Sequence, residues 1–259
     1  MASYLGRHAE LYDLFYEGKD YEGEARFVHA ALERHAEGPA RRLVDLACGT
    51  GRHARALERL GHEVVGVDSS ASMLEVARAR GTAAGSAVRF VEGDLRDLHV
   101  PGAPFDAATC LFDSIGYVQT NEALARALAG IRRAVRPGGL LVLEFWHAAA
   151  MLRDFDPVRV RRWTTPQGEV QRISETELDC ERQLARVTYR VQETRPDGTF
   201  SGFEEVQVNR YFLVQEMGHW LTSSGFEPLA WHDGYSAEGR VTERTWHVVA
   251  LARRRPGEG

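Results

Sequence analysis

The chain has 259 residues, 44% hydrophobic and 27% charged, a composition that can bury one large core. Its formal net charge of −5 argues against a surface that grips nucleic-acid phosphates, so we expect no nucleic-acid partner. No apolar run approaches the ~20 residues of a membrane-spanning helix, and no export signal is recognisable, so we expect no membrane association. The widely separated Cys48, Cys110 and Cys180 predict a reducing cytoplasm, without disulfides or a metal site.

The first part of the chain alternates between two kinds of hydrophobic period. Amphipathic helices are predicted over residues 8–17 and 21–35. The elements that follow are strand 43–47, helix 52–60, strand 63–67, helix 71–80, strand 88–91, strand 105–111, helix 121–135 and strand 140–145. Strands alternating with helices predict a parallel sheet with right-handed crossovers and helices on both faces.

Beyond Trp146 the pattern changes to a period of two, which is typical of antiparallel strands. These strands are predicted at 158–163, 169–179, 184–192 and 199–208, and the chain then returns to a helix at 215–224 and strands at 227–232 and 245–252. We therefore expect one domain made of residues 1–147 and 214–259. Residues 148–213 would form an antiparallel β insertion, or lid, that contributes to the acceptor site.

The segment VDLACGTG at 44–51 lies where a buried strand gives way to a helix, and its glycines allow a ligand to approach the backbone. Taken alone, this loop also fits the nicotinamide-binding form GxGxxG/A. Asp68 ends the second strand, where its carboxylate can accept hydrogen bonds from ribose hydroxyls. Asp45 and Asp94 would repel a pyrophosphate, whereas an ammonium and an adenine amino group need acceptors. The acids therefore favour a cationic cofactor without phosphates.

With the motifs DLACGTG, GVDSS, EGD and RPGGLLVLEF, the sequence resembles the S-adenosylmethionine-dependent methyltransferases over about residues 8–147. The resemblance implies an α/β fold with a Rossmann-like, doubly wound, seven-stranded and mostly parallel sheet. The strand order would be 3-2-1-4-5-7-6, with the C-terminal strand pair supplying the last two strands. It also implies S-adenosyl-L-methionine as the cofactor. Ala47 stands where many members of the family have glycine.

Three segments, LYD at 11–13, KDY at 19–21 and CLFDSIGY at 110–117, look like those of enzymes that N-methylate amino sugars on nucleotide carriers. This resemblance implies that tyrosines close over the methionine end of the cofactor and that Asp94 and Leu95 hold the adenine. The residues expected at the cofactor are Tyr12, Tyr21, Asp45, Ala47, Gly49, Gly51, Asp68, Ser69, Met73, Asp94, Leu95 and Leu111. His53 is a further minor candidate.

Methyl transfer from a sulfonium needs alignment above all, because the leaving group is already part of the cofactor. The sequence therefore marks no certain catalytic base. The candidates that could accept a proton or orient the acceptor are Tyr117, His147, His219 and Asp113. Tyr16, Trp146 and His147 are the residues expected to face the substrate.

The leading hypothesis is methylation of a small-molecule acceptor, with N-methylation of a nucleotide-linked amino sugar as the best choice. Alternatives are O-methylation of a natural product, a non-catalytic S-adenosylmethionine-binding regulatory protein, and a nicotinamide oxidoreductase, which the carboxylates argue against. The insertion also has apolar residues at alternating positions in 187–191 and 206–211. Either a homodimer interface or burial within the chain would cover them.

Overall fold

The computed structural model describes residues 6–256. The strands in this range are β1 (Arg42–Leu46), β2 (Glu63–Asp68), β3 (Arg89–Glu92), β4 (Phe105–Cys110), β5 (Val135–Trp146), β6 (Val158–Thr165), β7 (Gly168–Asp179), β8 (Leu184–Thr194), β9 (Phe200–Arg210), β10 (Phe226–Asp233) and β11 (His247–Arg254). The helices are α1 (Arg7–Phe15), α2 (Tyr21–His35), α3 (Arg52–Arg59), α4 (Ala71–Ala83), α5 (Asn121–Ala134), α6 (Ala148–Arg153) and α7 (Val214–Ser223). Within residues 6–256, no helix combines the length and hydrophobicity needed to cross a bilayer.

The larger sheet has the strand order β3-β2-β1-β4-β5-β11-β10. The five strands from β3 to β5 are parallel to their neighbours, whereas β11 runs antiparallel to both β5 and β10. This confirms the predicted order 3-2-1-4-5-7-6, because β11 and β10 take the places of the seventh and sixth strands. The carboxyl ends of the parallel strands therefore meet along one edge.

Helices cover both faces of this sheet, and the strands are accordingly apolar on both sides. On one face, Val44 and Leu46 of β1 pack in a buried cluster with residues of α5 and α7. On the other face, Leu43 of the same strand packs with residues of α2, α3 and α4. Because successive side chains of a strand point to opposite faces, the core consists of two layers, one on each face of the sheet.

The second sheet contains β6, β7, β8 and β9 in sequential antiparallel order. Helix α1 lies between this second sheet and α4, one of the helices that cover the larger sheet. Its Leu11 and Phe15 pack in one cluster with Val170 and Val191 of the sheet. Its Tyr12 belongs to another cluster that includes Met73 of α4. This short helix therefore packs against the second sheet on one side and against a helix of the larger sheet on the other.

Several elements differ from their predicted bounds or type, among them α6, β5 and α1. Helix α6 lies in the segment for which only strands were expected, because Ala148, Ala149 and Ala150 are strong helix formers. Strand β5 begins at Val135 rather than at residue 140, since its pairing with β4 continues across an irregular stretch before Leu140. Helix α1 ends at Phe15, two residues before the predicted end of its helix.

Phe90 of β3 explains why two positions near the first strands are glycine. A Cβ atom added to Gly66 would lie 2.7 Å from Phe90 Cδ1 and 2.9 Å from Cys48 Sγ. A Cβ added to Gly51 would lie 2.5 Å from Phe90 Cζ. The ring therefore occupies the space that larger residues would need.

We predict that Gly66→Ala lowers the free energy of unfolding by about 1–3 kcal/mol, because the added methyl group overpacks the site. Phe90→Leu in the same chain should recover part of this loss by vacating the space. Urea unfolding of the two single variants and the double variant measures the coupling. Strictly additive effects would contradict this account of the packing.

Candidate active site

A cleft of about 670 Å³ opens at the carboxyl edge of the parallel strands, where open α/β sheets bind their ligands. Of the residues expected at the cofactor, those that line it are Tyr12, Ala47, Gly49, Asp68, Ser69, Met73, Asp94 and Leu95. A smaller space of about 30 Å³ adjoins the cleft and is lined by Tyr21, Asp45 and Leu111. Gly51 lines neither space and instead packs against Phe90. The structure thus gathers most of the expected residues at one edge.

Asp68 holds the glycine loop and still faces the cleft. Its carboxylate accepts the Gly49 N–H through Oδ2 and the Ser70 N–H through Oδ1, each at 2.8 Å. Burial raises the pKa of Asp68, against the opposing effect of these backbone hydrogen bonds. A carboxylate has about four acceptor sites, so capacity remains beyond these backbone N–H groups for further donors. That capacity fits the two neighbouring hydroxyls of a ribose.

The glycine loop leaves its backbone open to a ligand. Ala47, Gly49 and Gly51 all have left-handed φ angles, of 51°, 54° and 72°. A Cβ atom added to Gly49 would meet no other heavy atom within 4 Å, so free space lies directly against the main chain. Asp45 lies beneath the loop, and burial raises the pKa of its carboxyl group although the Thr109 hydroxyl donates to it at 2.7 Å.

Asp94 also lines the cleft, and it has a partner within the chain. Its Oδ1 accepts the Arg96 N–H and the Arg96 Nε–H, both at 2.8 Å. Hydrogen bonding to the Arg96 guanidinium lowers the pKa of Asp94. Arg96 also lines the cleft, so an adenine amino group would share this carboxylate with the arginine.

Aromatic side chains of α1 and of the turn after β4 form the roof of the site. The ring centroids of Tyr12 and Tyr16 are 4.8 Å apart, and those of Tyr16 and Phe112 are 4.9 Å apart. Tyr16 itself lines neither space in the described part of the chain. Asp13 attaches α1 to the glycine loop, since it accepts the Thr50 hydroxyl at 2.9 Å and pairs with Arg80.

The turn after β4 rests on two buried carboxylates. Phe112 and Asp113 have φ angles of 55° and 57°. Asp113 accepts the Trp146 N–H at 2.6 Å and the Asn209 amide at 3.0 Å, and burial raises its pKa well above the usual value. Glu144, only 1% exposed, accepts the Phe112 N–H at 2.5 Å. The role of Glu144 was not expected from the sequence, although a charge within the apolar run LLVLEF is a signal that could have revealed it.

The residues expected to act on the substrate are dispersed. Tyr117 lines the cleft, and its hydroxyl donates to Gln207 Oε1 at 3.1 Å. His147 is buried outside the cleft, where burial lowers its pKa and its Nδ1 lies 3.1 Å from the Thr245 carbonyl oxygen. His219 lines a separate depression beside Trp231, because α7 directs Met217 and Leu221 into the core and His219 outward. Only Tyr117 of these candidates therefore faces the cleft.

Two further candidates, Trp146 and His53, make contacts with other side chains of the protein. Trp146 packs with Ala148, Met151 and Tyr211 in a small apolar cluster rather than facing the cleft. His53 borders the smaller space, where its Nε2 lies 2.6 Å from Glu24 Oε2.

The sheet order, the open glycine loop and the carboxylates at the strand ends define a Rossmann-like S-adenosylmethionine-dependent methyltransferase. A family model described as a methyltransferase domain matches residues 43–139. A dTDP-3-amino-3,6-dideoxy-alpha-D-glucopyranose N,N-dimethyltransferase of Streptomyces fradiae is 34% identical over 93% of this chain and 92% of its own. The chain therefore belongs to the same family of S-adenosylmethionine-dependent methyltransferases as that enzyme.

Two solved structures agree with this assignment. A sugar N-methyltransferase of Streptoalloteichus aligns with a TM-score of 0.80 and 28% identity, over 99% of this chain and 97% of its own. An amino pentose methyltransferase of Micromonospora echinaspora, solved with S-adenosylmethionine bound, aligns with a TM-score of 0.76 and 28% identity, over 94% and 96% of the two chains.

We predict that Asp68→Asn weakens S-adenosylhomocysteine binding by about tenfold or more, because a hydrogen bond to a charged group contributes roughly 1.5–3 kcal/mol. In the wild type, the affinity for S-adenosylhomocysteine should fall as the pH is lowered through the pKa of Asp68, because protonation removes the charge of the acceptor. This pKa is raised above the usual value near 4. Calorimetric titration measures both effects. Asp97→Asn, which changes an acid 85% exposed at the same edge, is the matched control. Equal affinities of the two variants would contradict the assigned role.

Proposed function

We propose that this enzyme N-methylates the amino group of a sugar carried on a nucleoside diphosphate. The relative from Streptomyces fradiae is named for N,N-dimethylation of a dTDP-linked amino sugar. The observation that carries the proposal is that the cleft extends past Phe112 to Arg186, Val206 and Val208 of the second sheet. This extension provides room for an acceptor beyond the cofactor end, together with a positive charge.

Arg186 is the group best suited to the acceptor's phosphates. It lies on β8, is exposed and lines the cleft. Arg96, which also lines the cleft, is already paired with Asp94. Guanidinium groups recognise phosphates through charge-assisted hydrogen bonds. We accordingly propose that residues 148–213 are an insertion that contributes the acceptor site.

Alignment is the main contribution that this chain makes to the reaction. Bound S-adenosylmethionine supplies an electrophilic methyl group attached to a sulfonium. Phe112, Ser114 and Tyr117 line the cleft where it turns from the cofactor end towards the second sheet, and these side chains are neutral. Such surroundings favour an amine that arrives unprotonated. Well-oriented reactants can account for about 7–11 kcal/mol of barrier reduction, so no dedicated base is required.

We also propose that the enzyme forms a homodimer through the outer face of the second sheet, which is the face away from α1, at the part of this face that does not line the cleft. Val158 and Val206 lie in one row across this sheet, with Glu175 and Thr188 between them. Val158, Val160 and Phe200 are 51–72% exposed on this face and, unlike Val206, do not line the cleft. An exposed apolar patch of this kind is typical of an interface. On the inner face, by contrast, Val191 is buried against α1.

A cytoplasmic location without a nucleic-acid partner is the remaining part of the proposal. The three cysteines are free thiols, and Cys48 and Cys110 are buried. Free thiols suit a reducing compartment, and the net charge of −5 disfavours phosphate-rich polymers. Fractionation of cells and a gel-shift assay would test these two statements.

We predict that the enzyme, with S-adenosylmethionine, methylates a dTDP-linked amino sugar, detected as a mass gain of one or two methyl groups. Arg186→Ala should raise KM for this acceptor by about tenfold or more, because it removes a charged hydrogen bond to phosphate. Arg190→Ala is the matched control, since Arg190 lies on the same face of β8 but is paired with Glu175 and Glu204. Turnover of only hydroxyl acceptors would overturn N-methylation, and cofactor binding without any turnover would favour a non-catalytic protein.

We predict that light scattering gives a mass of twice 29.0 kDa for the wild type. Val160→Glu should give a monomer, because it places a charge on the outer apolar face. Arg161→Gln, which makes the same change in net charge on the other face of the same strand, should remain a dimer. A monomeric wild type would refute the interface.

A further inference from the structure

We propose that Glu144 is a positioning residue for methyl transfer, acting through the backbone of Phe112. Glu144 lies on β5 and lines neither the cleft nor the smaller space, whereas Phe112 lines both. The position of Phe112 therefore determines the shape of the passage between the cofactor end and the acceptor end. The inference depends on the proposed function only for the choice of acceptor in the assay.

The turn that contains Phe112 needs support from outside itself. Both Phe112 and Asp113 have left-handed φ angles, a conformation that residues other than glycine rarely adopt. Such strain persists only where surrounding contacts hold it, and it is concentrated at functional sites. The Phe112 N–H donates to Glu144 Oε2 at 2.5 Å. This hydrogen bond fixes the first of the two strained residues.

Glu144 is itself held on its remaining sides by residues from the end of the chain. Its Oε1 lies 2.9 Å from His247 Nδ1, and the Tyr235 hydroxyl donates to its Oε2. Burial alone would raise the pKa of Glu144, but His247, Lys19 and Tyr235 lower it to about 2. The carboxylate is thus a fixed negative charge with three partners, and it has little freedom to move.

The ring of Phe112 connects this carboxylate to the segment between α1 and α2. Lys19 Nζ lies 4.4 Å from the centroid of the Phe112 ring, and Tyr16, directly after α1, contacts the same ring edge-on. Lys19 also pairs with Glu24 of α2. A shift of the Phe112 backbone would therefore change the cleft wall and the seat of α1 together.

A purely structural role does not account for a carboxylate here. Taking a charge out of water is costly, and a well-packed apolar residue often replaces a buried ion pair without loss of stability. Glu144 is flanked by Leu143 and Phe145, which are fully buried, so the strand would accommodate an apolar residue at this position. What an apolar residue cannot provide is an acceptor for the Phe112 N–H.

The experiment compares Glu144→Ala and Glu144→Gln with Asp106→Ala in the full-length enzyme. Asp106 is the matched control, because its carboxylate accepts the N–H groups of Arg41 and Arg42 and pairs with Arg136 at the far end of β4. The readouts are kcat and KM with the dTDP-linked amino sugar, the Kd of S-adenosylhomocysteine, and hydrogen exchange of the Phe112 amide by NMR.

We expect Glu144→Ala to lower kcat by about 100-fold, the effect typical of a small misplacement of reacting groups. The Kd of S-adenosylhomocysteine should change much less than kcat, because the carboxylate of Asp68 holds the Gly49 N–H through a hydrogen bond separate from that of Glu144. Exchange of the Phe112 amide should accelerate. Glu144→Gln retains an oxygen acceptor for this amide and should recover most of the activity, whereas Asp106→Ala should lose stability but keep kcat.

Unchanged exchange of the Phe112 amide in Glu144→Ala would overturn the proposal, as would a loss of kcat no greater than in Asp106→Ala. If Glu144→Ala fails to fold, Glu144→Gln decides: slow amide exchange with retained kcat supports positioning, and slow exchange with lost kcat refutes it. A wild type that does not methylate the amino sugar would refute the acceptor alone. In that case the exchange comparison still decides whether Glu144 holds the turn.

Discussion

The burial of carboxylates at the ends of parallel strands is the constraint on which the site depends. Asp45 and Asp68 are largely buried, so each needs nearby N–H or hydroxyl groups as hydrogen-bond donors. Asp68 meets this need by binding the backbone of the glycine loop, and in doing so it shapes that loop. The same acids that order the unliganded backbone are therefore those that suit a cofactor with hydroxyl and ammonium donors.

The strand ends divide the cleft into two regions of different character. The cofactor end is formed by short local segments, such as the residues around Gly49 and Asp68. The acceptor end is formed by side chains from the turn after β4 and from β8 and β9, which are distant in sequence. Under the proposed function, a cofactor site of local segments and an acceptor site on the second sheet would allow one fold to serve different acceptors.

This division also explains how much could be predicted from the sequence. The strand order and most of the residues that line the cleft follow from local patterns and from the resemblance that they carry. The contacts of Glu144 could not be predicted, because Tyr235 and His247 reach it only once β11 has paired with β5. Gly51 illustrates a different failure: within the motif it resembles a ligand contact, but its neighbour is the Phe90 ring. His219 could not be assigned to a face until the packing of α7 was known.

The contacts of helix α1 have a consequence for the binding of the two substrates. Leu11 and Phe15 pack on the second sheet, while Tyr12 faces the cofactor end and packs with Met73. An acceptor that moves the sheet must therefore alter the environment of the cofactor through this helix. By thermodynamic linkage, the cofactor then changes the affinity for the acceptor by the same factor. The helix gives the two substrates a route to cooperative binding without a shared contact.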